Sequence, residues 1–157
     1  MKSWSWCAAL VIFTLSGPVA VAQSELTPSS TAKRVPRLVE TMSAAQLQHL
    51  KLWFAGKAKN WDLAAYELLL LKNSLVEAAL LYPDIPTSNV TTLREPLQSI
   101  SDAITAKDIR KFASTVRELT DGCNACHRTM DRSFVVMKLP TDQQPPANQV
   151  FTPQGKQ

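Results

Sequence analysis

The chain carries three cysteines and two histidines in 157 residues, and three of these five fall in one short run, Cys123-Asn124-Ala125-Cys126-His127. Two thiols three positions apart, followed at once by an imidazole, suit one task closely. The thiols can add to the two vinyl groups on one edge of a porphyrin, and the imidazole then stands against the iron as its proximal ligand. On a helix Cys123 and His127 are four apart and share a face, with Cys126 at its edge. Other chemistries fit these residues less well. A dithiol redox pair calls for Cys-x-x-Cys after a strand in a βαβ unit, and the segment before Cys123 has a helical period. A zinc site would have to draw on Cys123, Cys126, His127 and His49. Cys126 and His127 are neighbours on a helix and point in different directions, which closes poorly into a tetrahedron.

A helix must hold that run, and the sequence supplies one. Ile109, Phe112, Val116, Leu119, Cys123, Cys126 and Met130 recur at spacings of three and four, behind an Asp108 placed to cap the first turn. The motif therefore lies on an apolar face turned toward a core, with Arg110, Lys111, Arg117 and Arg128 away from it. A haem hung there would sit among helices, where exclusion of water shifts the iron's potential. Three further helices are predicted upstream. Ser43-Ala44-Ala45-Gln46 reads as a capping box for a helix running to Lys57 or Lys59. Asn60 caps a second through Tyr66, Leu69, Val76 and Leu80, stopped by Pro83 and Pro86. Thr92-Leu93-Arg94-Glu95 opens a shorter third helix to Ala106, with Pro96 tolerated in its first turn.

No alternating strand pattern and no internal repeat is found. The expectation is an all-α fold: a four-helix bundle with covalent haem over residues 41–132, after a flexible lead-in over 23–40 and before an extended C-terminal tail over 133–157. In the tail Pro140, Pro145, Pro146 and Pro153 oppose a helix, while Val150 and Phe151 offer an apolar anchor.

Residues 1–22 read as a signal peptide: Lys2, an apolar run from Cys7 to Leu15, then Ala20-Val21-Ala22 ahead of a cut before Gln23. That run is too short to span a bilayer as a stable helix, so no stable membrane span is expected after cleavage. Cleavage removes Cys7 and leaves two cysteines in an exported, periplasmic protein. A lone pair there would ordinarily be a disulfide, but the adjacent imidazole argues for one covalently bound haem c. A net charge of +4 without a block of like charges points to no nucleic-acid partner. Four Gly against ten Pro argue against a many-turned sandwich or barrel, and 45% hydrophobic residues exclude a disordered polar chain. With no Ser-His-Asp arrangement and no paired carboxylates, no catalytic residues are assigned and the protein is not expected to be an enzyme.

Four predicted helices with Cys123-Asn124-Ala125-Cys126-His127 on the last resemble the class II c-type cytochromes, the cytochrome c′ group, over roughly Thr41 to Asp131. The resemblance implies that His127 is the proximal ligand and that the first helix supplies the group facing the other side of the haem. In that family the group is apolar in five-coordinate, gas-binding members and a Met in low-spin electron carriers. The resemblance also admits a homodimer. The chain departs from the family after the motif, where thirty residues follow His127 and the family usually stops soon.

On the first helix Leu47, Leu50 and Phe54 mark one part of a buried arc, and Met42, His49, Trp53 and Gly56 another. His49 is the candidate second axial ligand, being the other histidine of the chain and on the helix the family uses. The plain reading of such a residue is a core histidine hydrogen-bonded to a backbone carbonyl. Met42, one helical repeat earlier, and Met137 in the tail are its rivals, while Met130 stays on the proximal side. Trp53, Phe54 and Trp61 are read as core ahead of porphyrin-stacking groups. Arg128, Arg132 and Lys138, offset by Asp121 and Asp131, are read as a mixed surface ahead of propionate partners or a docking site. The expected function is a periplasmic single-haem cytochrome carrying electrons between redox partner proteins. The alternative is a five-coordinate haem protein that binds or senses small gases.

Overall fold

Glu40 starts the first helix, α1 (Leu38–Lys57): its carboxylate accepts from the backbone N–H of Arg37 at 2.9 Å and from that residue's Nε at 3.0 Å. The computed structural model describes residues 36–141, 145–146 and 148–154. The expected signal peptide and the lead-in as far as residue 35 lie outside the described residues. Helix α1 begins five residues before the capping box expected at Ser43. Ser43 instead donates to the carbonyl of Val39 at 2.7 Å, the back-bond of a serine inside a helix. The hydroxyl of Tyr82 donates to the carbonyl of Pro36 and ties this early start to the far end of the next helix.

Two helices start where the sequence places them. Asn60 caps α2 (Trp61–Leu81), its side chain accepting from Leu63 N–H at 3.2 Å. Asp108 caps α5 (Ile109–Thr129), accepting from Lys111 at 3.0 Å and Arg110 at 2.9 Å. These bonds, that from Lys111 foremost, hold the Asp108 carboxyl below the usual carboxylate range. Between them lie a one-turn helix, α3 (Thr87–Thr91), and α4 (Arg94–Thr105). The capping box expected at Thr92 does not form, since its hydroxyl donates back to Asn89 O at 3.0 Å and Leu93 takes the cap position.

Three helices close without glycine. Lys59, Lys107 and Asp131 take left-handed φ of 56°, 54° and 55° directly after α1, α4 and α5. In each case the next N–H reaches back five residues: Asn60 to Ala55 O, Asp108 to Ala103 O and Arg132 to His127 O. The first two turns fold α1 onto α2 and α4 onto α5, with α1 also packed on α5 and α2 on α4. The described residues contain helices and no strand, an all-helical fold compatible with a helical bundle. None of these helices is long and apolar enough to cross a membrane.

Leu52, Ala64, Ile100, Phe112, Val116 and Leu119 are sealed from solvent at the centre. Gly56 is required there, because a Cβ on it would lie 2.1 Å from the Phe112 ring. One expectation about faces fails. Leu47 is half exposed rather than part of the buried arc, because α1 turns Thr41, Ala45, His49 and Leu52 inward. On α2, Tyr66, Leu69, Val76 and Leu80 point outward, and Ala64, Leu68, Leu71 and Ala78 pack inside. That helix is apolar on nearly every side, so its inner face cannot be read from periodicity.

After α5 the chain turns at Asp131 and runs back along the bundle without helix or strand. Trp53 Nε1 donates to Pro140 O at 3.1 Å, Phe151 is buried against Phe54 with ring centroids 5.8 Å apart, and Val150 stays exposed.

Candidate functional site

Helix α5 delivers Cys123, Cys126 and His127 to one wall of a cavity of about 270 Å³. Facing them are Met42, Ala45 and His49 from α1, with Leu71, Leu75 and Ala78 from α2. Asn89, Val90 and Leu93 close a third side, and Val135 and Met137 of the returning tail a fourth. Gly122 helps to shape this wall: a Cβ there would meet Leu93 Cδ2 at 2.6 Å, so its absence lets Leu93 seat against α5 beside Cys123. The cavity thus gathers every titratable or sulfur group singled out in the sequence for the site.

Both thiols are free. Burial pushes the Cys123 thiol up to about 11, with the neighbouring Cys126 adding to the shift. Burial raises Cys126 as well, partly offset by a hydrogen bond with Asn89. Protonated, half-buried thiols are the opposite of the activated thiolate that a redox dithiol needs. Among the described residues no group of three or more His, Cys, Asp or Glu side chains comes together to hold a metal ion, so the arrangement weighed for zinc does not assemble.

The two imidazoles are held in opposite tautomers. His127 Nδ1 lies 2.8 Å from the carbonyl oxygen of Val135. A carbonyl can only accept, so Nδ1 carries a proton, and in the neutral ring the lone pair is on Nε2. His49 is buried, and its Nε2 lies 2.8 Å from the Thr120 hydroxyl, which itself donates to Val116 O at 2.8 Å. Nε2 must therefore be the donor in this pair. Burial lowers the His49 pKa to about 4, so the ring is neutral at pH 7. The sequence reading allowed for a core histidine bonded to a carbonyl; the partner is a threonine one turn before Cys123.

Met42 and Met137 line the same cavity as His49, so all three candidates for the position opposite His127 border one space. A second, more open cavity of about 430 Å³ adjoins it, sharing Ser43, Gln46, His49 and Met137 and adding Lys138 and Pro140. Trp53, Phe54 and Trp61 line neither. They are core residues: Trp61 packs edge-on to Phe112 at 5.9 Å and Phe54 against Phe151. Arg132 spends its guanidinium on the carbonyls of Met130 and Asp131.

Three contributors were not singled out in the sequence. Thr120 fixes the His49 ring, Val135 supplies a backbone carbonyl, and Asn124 clamps the tail. Asn124 Oδ1 accepts from Met137 N–H at 2.7 Å and its Nδ2 donates to Met137 O at 2.9 Å. Thr120 stands seven residues before His127, two helical turns along one face, which is a signal that could have found it. A backbone carbonyl leaves no such mark. Comparison with protein-family models, curated proteins and solved structures yields no match.

Proposed function

We propose that this protein is an exported, single-haem c-type cytochrome of the class II type, holding haem c through Cys123 and Cys126 and carrying electrons between partner proteins in the periplasm. The single observation behind this reading is the tautomer of His127. Its Nε2 lone pair is left available beside two free thiols at the wall of a largely apolar cavity. That donor set fits a haem attached by two thioethers and ligated by one imidazole. When bound, such a group would supply a one-electron ferric–ferrous couple. The chain's own part is to fix the His127 ring through Val135, exclude water with Leu71, Leu75 and Leu93, and offer a sixth group from Met42, Met137 or His49.

One observation favours the gas-binding alternative. His49 uses Nε2, its less hindered nitrogen, to donate to Thr120. To ligate through Nε2 it must give up that bond, so the route to a closed coordination sphere falls first to Met42 or Met137. If neither ligates, the iron is five-coordinate and open to carbon monoxide or nitric oxide. Absorption spectra of the purified ferric and ferrous protein test this. The carrier reading expects low-spin spectra, with a sulfur-to-iron band near the red edge of the ferric spectrum if a Met ligates. A low-spin wild type that His49→Ala converts to high-spin would assign the position to His49. A high-spin wild type that takes up carbon monoxide at once would replace the carrier reading with the gas-binding one.

A further inference from the structure

Next to the motif, over residues 134–136, the returning segment is held to the bundle more by its backbone than by its side chains. Leu139 packs against the core, but Phe134 and Val136 are 79% and 71% exposed and Val135 is 39% exposed, so apolar burial does not explain the course of residues 134–136. The segment's polar contacts do. The left-handed turn at Asp131 reverses the chain, and Arg132 N–H bonds the His127 carbonyl at 2.7 Å. The side-chain amide of Asn124, inside the motif, takes both the N–H and the C=O of Met137. Farther on, Trp53 holds Pro140. Pinned at both ends in this way, the segment presents the Val135 carbonyl to His127 Nδ1 at 2.8 Å.

We propose that residues 132–140 form a strap that orients and tunes the proximal imidazole, with Asn124 as the positioning residue that sets it. This deepens the haem reading and rests on it. A carbonyl held on Nδ1–H fixes the ring's rotation and tautomer and increases the electron donation of Nε2, which favours ferric over ferrous iron. A haem protein whose chain ended soon after the motif would have no such carbonyl. Asn124 is the link nearest the motif that a substitution can cut without altering Cys123, Cys126 or His127. Alanine is a better helix former than asparagine, so Asn124→Ala leaves α5 intact.

The experiment uses the full chain exported with its haem. For wild type, Asn124→Ala and Asn124→Asp, the intact mass, the midpoint potential and the hydrogen exchange of the His127 Nδ1 proton by ¹⁵N NMR are compared. Asn124→Asp keeps the acceptor for Met137 N–H and loses the donor to Met137 O. Loss of the outer hydrogen bond is expected to shift the ferric-to-ferrous preference about tenfold toward ferrous in Asn124→Ala. That is a rise of about 59 mV for one electron. Nδ1–H exchange should accelerate by the same order, and Asn124→Asp should fall between. Unchanged potential and exchange in Asn124→Ala, with haem present by mass, would overturn the strap's role and leave the haem reading standing. A wild-type mass without haem would overturn the haem reading. In that case the exchange of Nδ1–H alone decides whether Asn124 positions the strap: faster exchange in Asn124→Ala supports it and equal exchange rejects it.

Discussion

Helices α1 and α5 meet at two places that could hardly be built more differently. At one end Gly56 lies under the Phe112 ring, Trp61 closes on it edge-on, and Leu52, Val116 and Leu119 are fully buried. From about two turns away onward the same two helices, with His49 facing Thr120 and Ala45 and Cys123 on the lining, border a cavity of about 270 Å³. The sealed end uses apolar contact at native density, where a single methylene is felt. The cavity end is held by hydrogen bonds with defined donors: His49 to Thr120, His127 to Val135 and Asn124 to Met137. The contrast separates what holds the bundle together from what the bundle is built to hold.

The largest effect should come from the cavity end. At roughly 24 cal/mol per Å³, filling a space of this size is worth up to about 6 kcal/mol. Cys123→Ala combined with Cys126→Ala, which removes both points of attachment, should therefore leave a poorly folded chain. Urea titration of the double variant beside the wild type measures the loss, and equal midpoints would show that the interior does not depend on what the thiols hold. Next is the sealed end. Gly56→Ala places a methyl group inside the Phe112 ring and should cost about 3 kcal/mol, while the spectrum of the attached group stays as in wild type. A spectral change as large as the stability change would mean that the two ends are not independent.

A smaller effect tests the α1–α2 face. Burial raises the Glu67 carboxyl above its ordinary 4.5, with Lys51 at 3.7 Å and hydrogen bonds from Gln149 and Lys51 drawing it partly back. Oxygen Oε2 has no hydrogen-bond partner. Because the folded chain holds this proton more tightly than the unfolded one, the favourable contribution is fully present below pH 4.5 and is lost as pH rises through the raised value. Glu67→Gln should remove that pH dependence and gain about 1 kcal/mol at neutral pH, read from urea midpoints across the range. The smallest change belongs to the turns. Lys107→Gly relieves a left-handed residue against glycine's own entropy cost and should stabilise by about 0.5 kcal/mol, seen as a slightly higher Tm.

Local rules made parts of this molecule legible. The Cys-x-x-Cys-His run, the stripe of α5 and the caps at Asn60 and Asp108 follow from side chains acting within a turn of themselves, and the structure has them at those positions. The early start of α1 was not legible, because it depends on Glu40 reaching back to Arg37 and on Tyr82 arriving from α2. Nor was the outward stripe of α2, where Leu68 to Leu71 offers apolar residues to every side. At the site, periodicity placed Met42 and His49 toward the interior, and both line the cavity. The bond from Thr120 and the carbonyl of Val135 depend on chain reversal and backbone position, which residue types do not encode on their own.

The intact mass of the purified, exported protein is the most direct test of the central claim. Covalent attachment through Cys123 and Cys126 requires the mass of residues 23–157 plus one haem, and colour that stays with the protein through acid–acetone extraction. A mass equal to the bare chain, or haem that leaves with the solvent, would contradict it.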